Sequence, residues 1–133
     1  MSSSISDLIR EALATYARGG FDAVLPLVHP DVEIFAPPEL INSGEAHGRA
    51  EAEAWTDEWG EAWESQTYEL GEIEEVTPER AVAAVQVIAT GRTSGITTKM
   101  RQWWFFEARD GKLSRWHLYP EPERAFEVAG TAR

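Results

Sequence analysis

The stretch Met100-Arg-Gln-Trp-Trp-Phe-Phe-Glu107 decides how this chain is read. Side chains alternate across a strand, so Arg101, Trp103 and Phe105 share one face, and Gln102, Trp104 and Phe106 share the other. An antiparallel strand that is apolar on both faces needs cover on both. After it, Arg109-Asp110-Gly111 reads as a hairpin turn into a strand over 112–119. Before it, strands are predicted over 66–76 and 79–90, broken at Thr77-Pro78, and the aromatic strand itself over 95–107, after a break from Gly91 to Gly95. The second half of the chain is thus a long antiparallel meander.

The first half is helical. Ile5, Leu8, Ile9, Ala12, Leu13 and Tyr16 recur at helical spacing and predict a helix over 4–18, ended by Gly19-Gly20. A short second helix is expected after Asp22, with His29 near its C-terminus and Pro30 as its stop. Residues 31–36 read as a strand ended by Pro37-Pro38. Residues 37–48 are loop-like, with a short strand near Glu45–His47. An alanine-rich helix is expected over 49–64, with Trp55, Trp59 and Trp63 at i, i+4 and i+8 along one face. A last short helix covers about 122–129. Helices gathered before a run of strands mean an α+β fold with the helices on one face of the sheet. Nothing else in the chain is left to cover the second face. Trp104 and Phe106 are therefore expected to pack against a second copy as a homodimer, sheet against sheet; loops of the same chain are the alternative.

Composition narrows the partners. With 133 residues the chain fits one domain, 1–133. Twelve basic against 23 acidic residues give a net charge of −11. That field repels phosphate backbones and anionic lipid surfaces, so neither nucleic acid nor membrane is expected as a partner. There is no cysteine, which excludes disulfides and thiol chemistry. No apolar run approaches the length of a membrane span and no signal peptide is visible, so a cytoplasmic location is expected. No histidine pair has metal-ligand spacing, and there is no glycine loop for phosphates, so no metal or cofactor is expected.

Several segments together resemble the SnoaL-like branch of the NTF2-like superfamily: Leu13-Ala-Thr-Tyr-Ala-Arg-Gly-Gly-Phe-Asp22, His29-Pro-Asp-Val-Glu33, Gly48-Arg49 opening a helix, and the Trp59 and Trp63 pair. Gly91-Arg-Thr-Ser-Gly95 belongs with them, as does Arg109-Asp-Gly-Lys-Leu-Ser-Arg-Trp116 followed by Tyr119. The resemblance implies a cone: a curved, mostly antiparallel sheet wrapped on three helices with a short C-terminal helix, often dimeric through the sheet, with an apolar pocket at the open end. Relatives include polyketide cyclases, ketosteroid isomerase and limonene-epoxide hydrolase. The acidic positions those enzymes use are not kept. The cyclase and hydrolase base falls at Leu118. The isomerase base falls at Ala36, before Pro37, and its acidic donor at Trp103. The isomerase tyrosine corresponds to about Ala12, one turn before Tyr16.

Other polar residues take the role of candidates. Glu33 lies mid-strand between Val32 and Ile34. Pointing inward, it would be a desolvated base; pointing outward, it is a solvated surface group. Arg101 shares a face with Trp103 and Phe105, which the isomerase match makes the concave one. There it would neutralise a carboxylate or pair with Glu33; the alternative is an arginine at a strand end reaching water. Tyr16 is the candidate donor. His117 and Tyr119 have the opposite parity to Trp116 and Leu118, so they face away from a pocket those two line, while His47 falls near the cavity mouth by family analogy. Phe35, Trp55, Trp59, Trp103, Phe105, Trp116 and Leu118 are expected to line a pocket for a small apolar molecule of polyketide, terpene or steroid type; equally, such rings fill a core. Two classes of function follow. One is an acid–base isomerase, cyclase or hydrolase using Glu33, Tyr16 and Arg101. The other is a non-catalytic small-molecule-binding or dimerisation module, favoured by Leu118, Ala36 and Trp103.

Overall fold

A computed structural model describes residues 4–40, 43–61 and 63–131, without the side chains of Trp59 and Thr131. Helix α1 spans Ile5–Val24, α2 Gly48–Glu61 and α3 Pro122–Thr131. Six strands, β1 (Val28–Ala36), β2 (Gly44–His47), β3 (Trp63–Thr77), β4 (Arg80–Gly91), β5 (Thr97–Arg109) and β6 (Lys112–Tyr119), form one sheet in the order β2-β1-β6-β5-β4-β3. The β1–β6 pair is parallel and the others are antiparallel. The fold is α+β, as expected from helices preceding a meander.

Three boundaries differ from expectation. Helix α1 is broken at Gly20, whose φ of +73° a glycine adopts without steric cost, and the helical segment beyond it to Val24, with the 3-10 turn Leu25–Leu27, stands where the second short helix was expected. Strand β1 starts at Val28, so His29 and Pro30 lie in a strand. Pro30 is tolerated because the β1–β6 ladder is interrupted between Val28 and Glu33, where a missing N–H costs nothing. Helix α2 ends at Glu61, so Trp63 opens β3 and does not extend the helical tryptophan row; Ala62 lies outside the described residues.

The inner face of the sheet packs on α1 and α2. Ile9, Ala12, Leu13 and Val24 meet Ile34, Ala83, Val85, Trp104, Phe106 and Trp116 in the larger core. Trp104 and Phe106 are 3% and 0% exposed. This corrects the contact expected for a dimer, not the dimer itself: both rings are buried inside the chain, so neither is available to a partner's sheet. The outer face is covered in part by α3, whose Ala125 and Ala129 pack on Val82, Phe105 and Tyr119, with Trp103 and Phe35 at the margin. The C-terminal helix thus supplies the cover that seemed missing.

The reversal of faces has a local cause. The Asp110-Gly111 turn has both residues at positive φ, 55° and 75°, as a tight two-residue hairpin requires. It pairs Arg109 with Lys112 and Ala108 with Leu113, but the next pair is Glu107 with Arg115. Ser114 is an extra residue, a β-bulge, and its hydroxyl donates to the Glu107 carbonyl and carboxylate at 3.1 Å each. Beyond it Phe106 stands opposite Trp116, and Trp104 opposite Leu118. Residues directly opposite share a face, so Trp104 and Phe106 go wherever Trp116 goes.

On the outer face β1 is tied to β6 by side chains as well as backbone. His117 Nε2 lies 2.8 Å from Glu33 Oε2 and its Nδ1 lies 3.1 Å from the Tyr119 hydroxyl. A carboxylate only accepts, so Nε2 carries the proton and Nδ1 accepts from Tyr119: a neutral imidazole satisfies both contacts. Burial holds the His117 pKa below its ordinary value, although Glu33 pulls it the other way.

Two outcomes follow. Phe106→Ala should cost about 3–5 kcal/mol by urea unfolding, whereas Ile96→Ser, at a site 65% exposed, should change stability by less than about 0.5 kcal/mol. As pH falls through the ordinary histidine range, the unfolded imidazole binds a proton before the folded one, so His117 lowers stability on acidification. The melting temperature should fall between about pH 7.5 and pH 5.5, with a shallower slope in His117→Gln; equal slopes would exclude His117 as the source.

Candidate functional site

Between α1, α2 and the inner sheet face lies a cavity of about 50 Å3. Helix α1 contributes Leu13, Tyr16 and, beyond the Gly20 break, Phe21. Helix α2 contributes Trp55 and Thr56. Ile34, Trp104, Trp116 and Leu118 form the floor from β1, β5 and β6. The half-buried members, Tyr16, Trp55, Thr56 and Leu118, mark its mouth. The space holds a few waters or a small guest, well short of the roughly 300–1,000 Å3 of a site for a drug-sized molecule.

The rings enclose the space and do not stack. Tyr16 meets Trp116 at 65° with centroids 6.2 Å apart, and Trp104 meets Trp116 at 52° and 5.9 Å. None of the described residues that line the cavity is charged. Three of the polar groups there are already engaged. The Tyr16 hydroxyl is hydrogen-bonded to Tyr68, whose own hydroxyl donates to Gln66 Oε1 at 2.7 Å. The Thr56 hydroxyl donates to the Glu53 carbonyl at 3.0 Å, and Trp104 Nε1 donates to Gln102 Oε1 at 2.7 Å. Burial raises the Tyr16 pKa, against the pull of the Tyr68 hydrogen bond and with that of the nearby Asp57 carboxylate, so the phenol stays protonated.

The structure does not bring the three candidate catalytic residues together. Tyr16 is at the cavity. Glu33 is on the opposite side of the sheet, 2.8 Å from His117, with Arg115 at 4.0 Å and His47 at 3.9 Å. Its parity is that of Phe35, while its neighbours Val32 and Ile34 take the core side. Arg101 is also on the outer face, exposed, opposite Gln86 and two strands from Glu33. Of the expected lining, Trp55, Trp116 and Leu118 reach the cavity. Phe35, Trp103 and Phe105 do not: they lie under or beside α3. The Trp59 side chain lies outside the described residues. Missed in the sequence were Leu13, Phe21, Ile34, Thr56 and Trp104; the signal for Trp104 was its place across the hairpin from Leu118. His47 is exposed beside Glu45 and Glu33 and is not at the cavity mouth.

The outer face carries its own groove of about 450 Å3, with Glu33, His47, Arg80, Glu107, Arg109 and Arg115 along it. Its charges neutralise one another: Arg80 with Glu107, Arg115 with Glu107 and Arg109 with Asp31, at 3.3, 3.6 and 3.3 Å. Among the described residues no group of three or more metal-binding side chains is arranged to hold an ion. No described helix is long and apolar enough to cross a membrane.

Comparison with known proteins agrees with this architecture. An NTF2-like protein of unknown function from Burkholderia pseudomallei superposes with a TM-score of 0.79 at 19% identity, over 98% of this chain and 99% of that one. TerC, co-crystallised with polyporic acid, matches at 0.79 and 20% identity, over 97% of this chain and all of its own. A Mycobacterium tuberculosis protein in complex with estradiol-17beta-hemisuccinate matches at 0.75 and 14% identity, over 92% and 97%. At these identities the likeness is one of fold. No curated protein matches the sequence. The family model for the SnoaL-like domain matches residues 9–116. With that span of sequence matched, the chain belongs to the SnoaL-like domain family, and its fold is that of NTF2-like proteins.

Proposed function

We propose that this protein, taken as one SnoaL-like domain over residues 1–133, binds a small apolar molecule in the inner cavity and does so without acid–base catalysis. The observation that carries this reading is the lining itself: mainly aromatic and aliphatic walls, with no carboxylate, imidazole or amine among the described residues. A base must come within hydrogen-bond reach of the proton it takes. Leu118 occupies the cavity where the cyclases' base is expected, and Glu33 and His117 sit behind the sheet. Burial raises the Tyr16 pKa, so its phenol keeps its proton.

Burial against such walls supplies the affinity, on the order of 1.5–3 kcal/mol for each well-covered apolar group. At about 50 Å3 the space is below the roughly 150 Å3 that takes up a benzene, so a single ring enters only as the half-buried side chains at the mouth give way. A polyketide, terpene or steroid skeleton, the class suggested by the ligands of TerC and the mycobacterial protein, enters only if the half-buried Trp55 swings outward.

The test is a titration with ethylbenzene. Tryptophan fluorescence should change saturably with one site per chain, and the melting temperature should rise with ligand, as linkage requires for a guest of the folded state alone. Leu118→Trp fills the mouth and should abolish both effects while cooperative unfolding is retained, at a cost of about 1–3 kcal/mol from overpacking. Unchanged binding in that variant would refute the assignment of the cavity.

A further inference from the structure

Resting on that binding reading, we infer that the guest carries a neutral oxygen acceptor, such as a ketone or ether oxygen on a small apolar body, and that this oxygen accepts a hydrogen bond from the indole N–H of Trp116. An indole nitrogen only donates. Trp104, on the same inner face, gives its N–H to the buried Gln102 at 2.7 Å. Trp116 is 6% exposed, and its Nε1 has no hydrogen-bond partner among the described residues. Nor is that nitrogen sealed among protein atoms, as an unpartnered atom of a closed core would be. Trp116 stands on the interior strand β6, with Ile34 beside it, Phe106 opposite it and Tyr16 of α1 over it. It borders the inner cavity and none of the other described grooves. The space that its N–H meets is therefore the cavity.

The rest of the polar wall is engaged or within reach of water. The Thr56 hydroxyl is spent on the Glu53 carbonyl, and the Tyr16 hydroxyl is hydrogen-bonded to Tyr68. Trp55 Nε1 also has no partner among the described residues, but Trp55 is half-buried at the mouth, where a Cβ on Gly44 would lie 3.9 Å from that nitrogen. Trp116 thus brings one unmet donor to the floor of an otherwise apolar space. A buried donor left without an acceptor forfeits its bond to water and gains nothing in return, so whatever fills the cavity has to accept from it.

That requirement sorts the guests. A hydrocarbon has no lone pair to offer. An ammonium only donates and would meet a donor. A carboxylate accepts, but it brings a charge into walls with no cation among the described lining residues, and its lost hydration is not made good there. A neutral carbonyl or ether oxygen accepts without that penalty.

Three small rings isolate the hydrogen bond: cyclopentanone, its isostere methylenecyclopentane, in which a carbon replaces the oxygen, and cyclobutanecarboxylate. Each is titrated by calorimetry into the protein and into Trp116→Phe, which keeps a ring and loses the N–H. Because the alkene leaves water more readily than the ketone, the informative quantity is the ratio of their affinities. The ketone-to-alkene ratio should fall about tenfold in Trp116→Phe, and cyclobutanecarboxylate should bind neither protein. In 15N-labelled wild-type protein the indole N–H resonance of Trp116 should move downfield with cyclopentanone and not with methylenecyclopentane, a readout that stands even where Trp116→Phe does not fold. An unchanged ratio, an equal shift with both rings, or carboxylate binding comparable to the ketone's would overturn the acceptor assignment and leave the cavity reading standing. Failure of both neutral rings and of ethylbenzene to bind would remove both.

Discussion

Ser114 is the one residue of β6 that the ladder to β5 skips, and the two faces of the sheet depend on it. A side chain in a strand has only two directions, and shifting a register by one residue exchanges them for every position beyond the shift. Without the bulge, the Asp110-Gly111 turn would set Phe105 opposite Trp116. With it, Phe106 is opposite Trp116 and Trp104 opposite Leu118. The bulge is held by its own contents: Ser114 is buried, and its hydroxyl satisfies the Glu107 carbonyl at the break in the ladder. Two buried rings follow from that hydroxyl, each contributing on the order of 2–3 kcal/mol by burial.

The same parity separates the chemistry of the molecule into two places. The inner face receives Trp104, Phe106 and Trp116, and no carboxylate or imidazole is among the described residues that line the cavity there. The outer face receives Glu33, Glu107, Arg115 and His117, which find partners in one another. Pairing also explains why this side tolerates half-buried charge: each carboxylate meets a cation or an imidazole donor, so none is left desolvated alone. The face beyond is closed by α3 on Phe105 and Tyr119. Acid–base groups and apolar cavity therefore lie on opposite sides of one sheet, a thickness no proton crosses in a single hydrogen bond.

Much of the fold was legible in the sequence because it rests on local signals. The stripe from Ile5 to Tyr16 gave α1 its face, Asp110-Gly111 gave the hairpin, and Pro37-Pro38 closed β1. Motif order then placed the chain in its family. Less of the site was legible. The alternation of Arg101 to Phe106 was readable, but which half faced inward was not, since a bulge of one residue has no strong composition of its own. Ser114 in Lys112-Leu-Ser-Arg115 looks like any strand position. The side taken by Glu33 stayed open for a related reason: strand parity gives two options, and Ile34 beside Trp116 takes the inner one. The outer cover failed because a ten-residue helix at the chain's end can dock on either face, and nothing in its pattern says which.

What lies inside is a cavity whose described walls are mainly aliphatic and aromatic. A leucine at position 118 suits those walls where a carboxylate would not. A carboxylate there would sit among Tyr16, Trp104 and Trp116 with no cation among the lining residues to meet it, and its desolvation would raise its pKa until it took up a proton. Leu118 costs no such desolvation, and the enclosed space can stay apolar. The one titratable group left on the wall, Tyr16, is held neutral by the same burial. A leucine at the mouth and a protonated Tyr16 leave the described wall uncharged, so what it offers is shape and apolar surface and not charge.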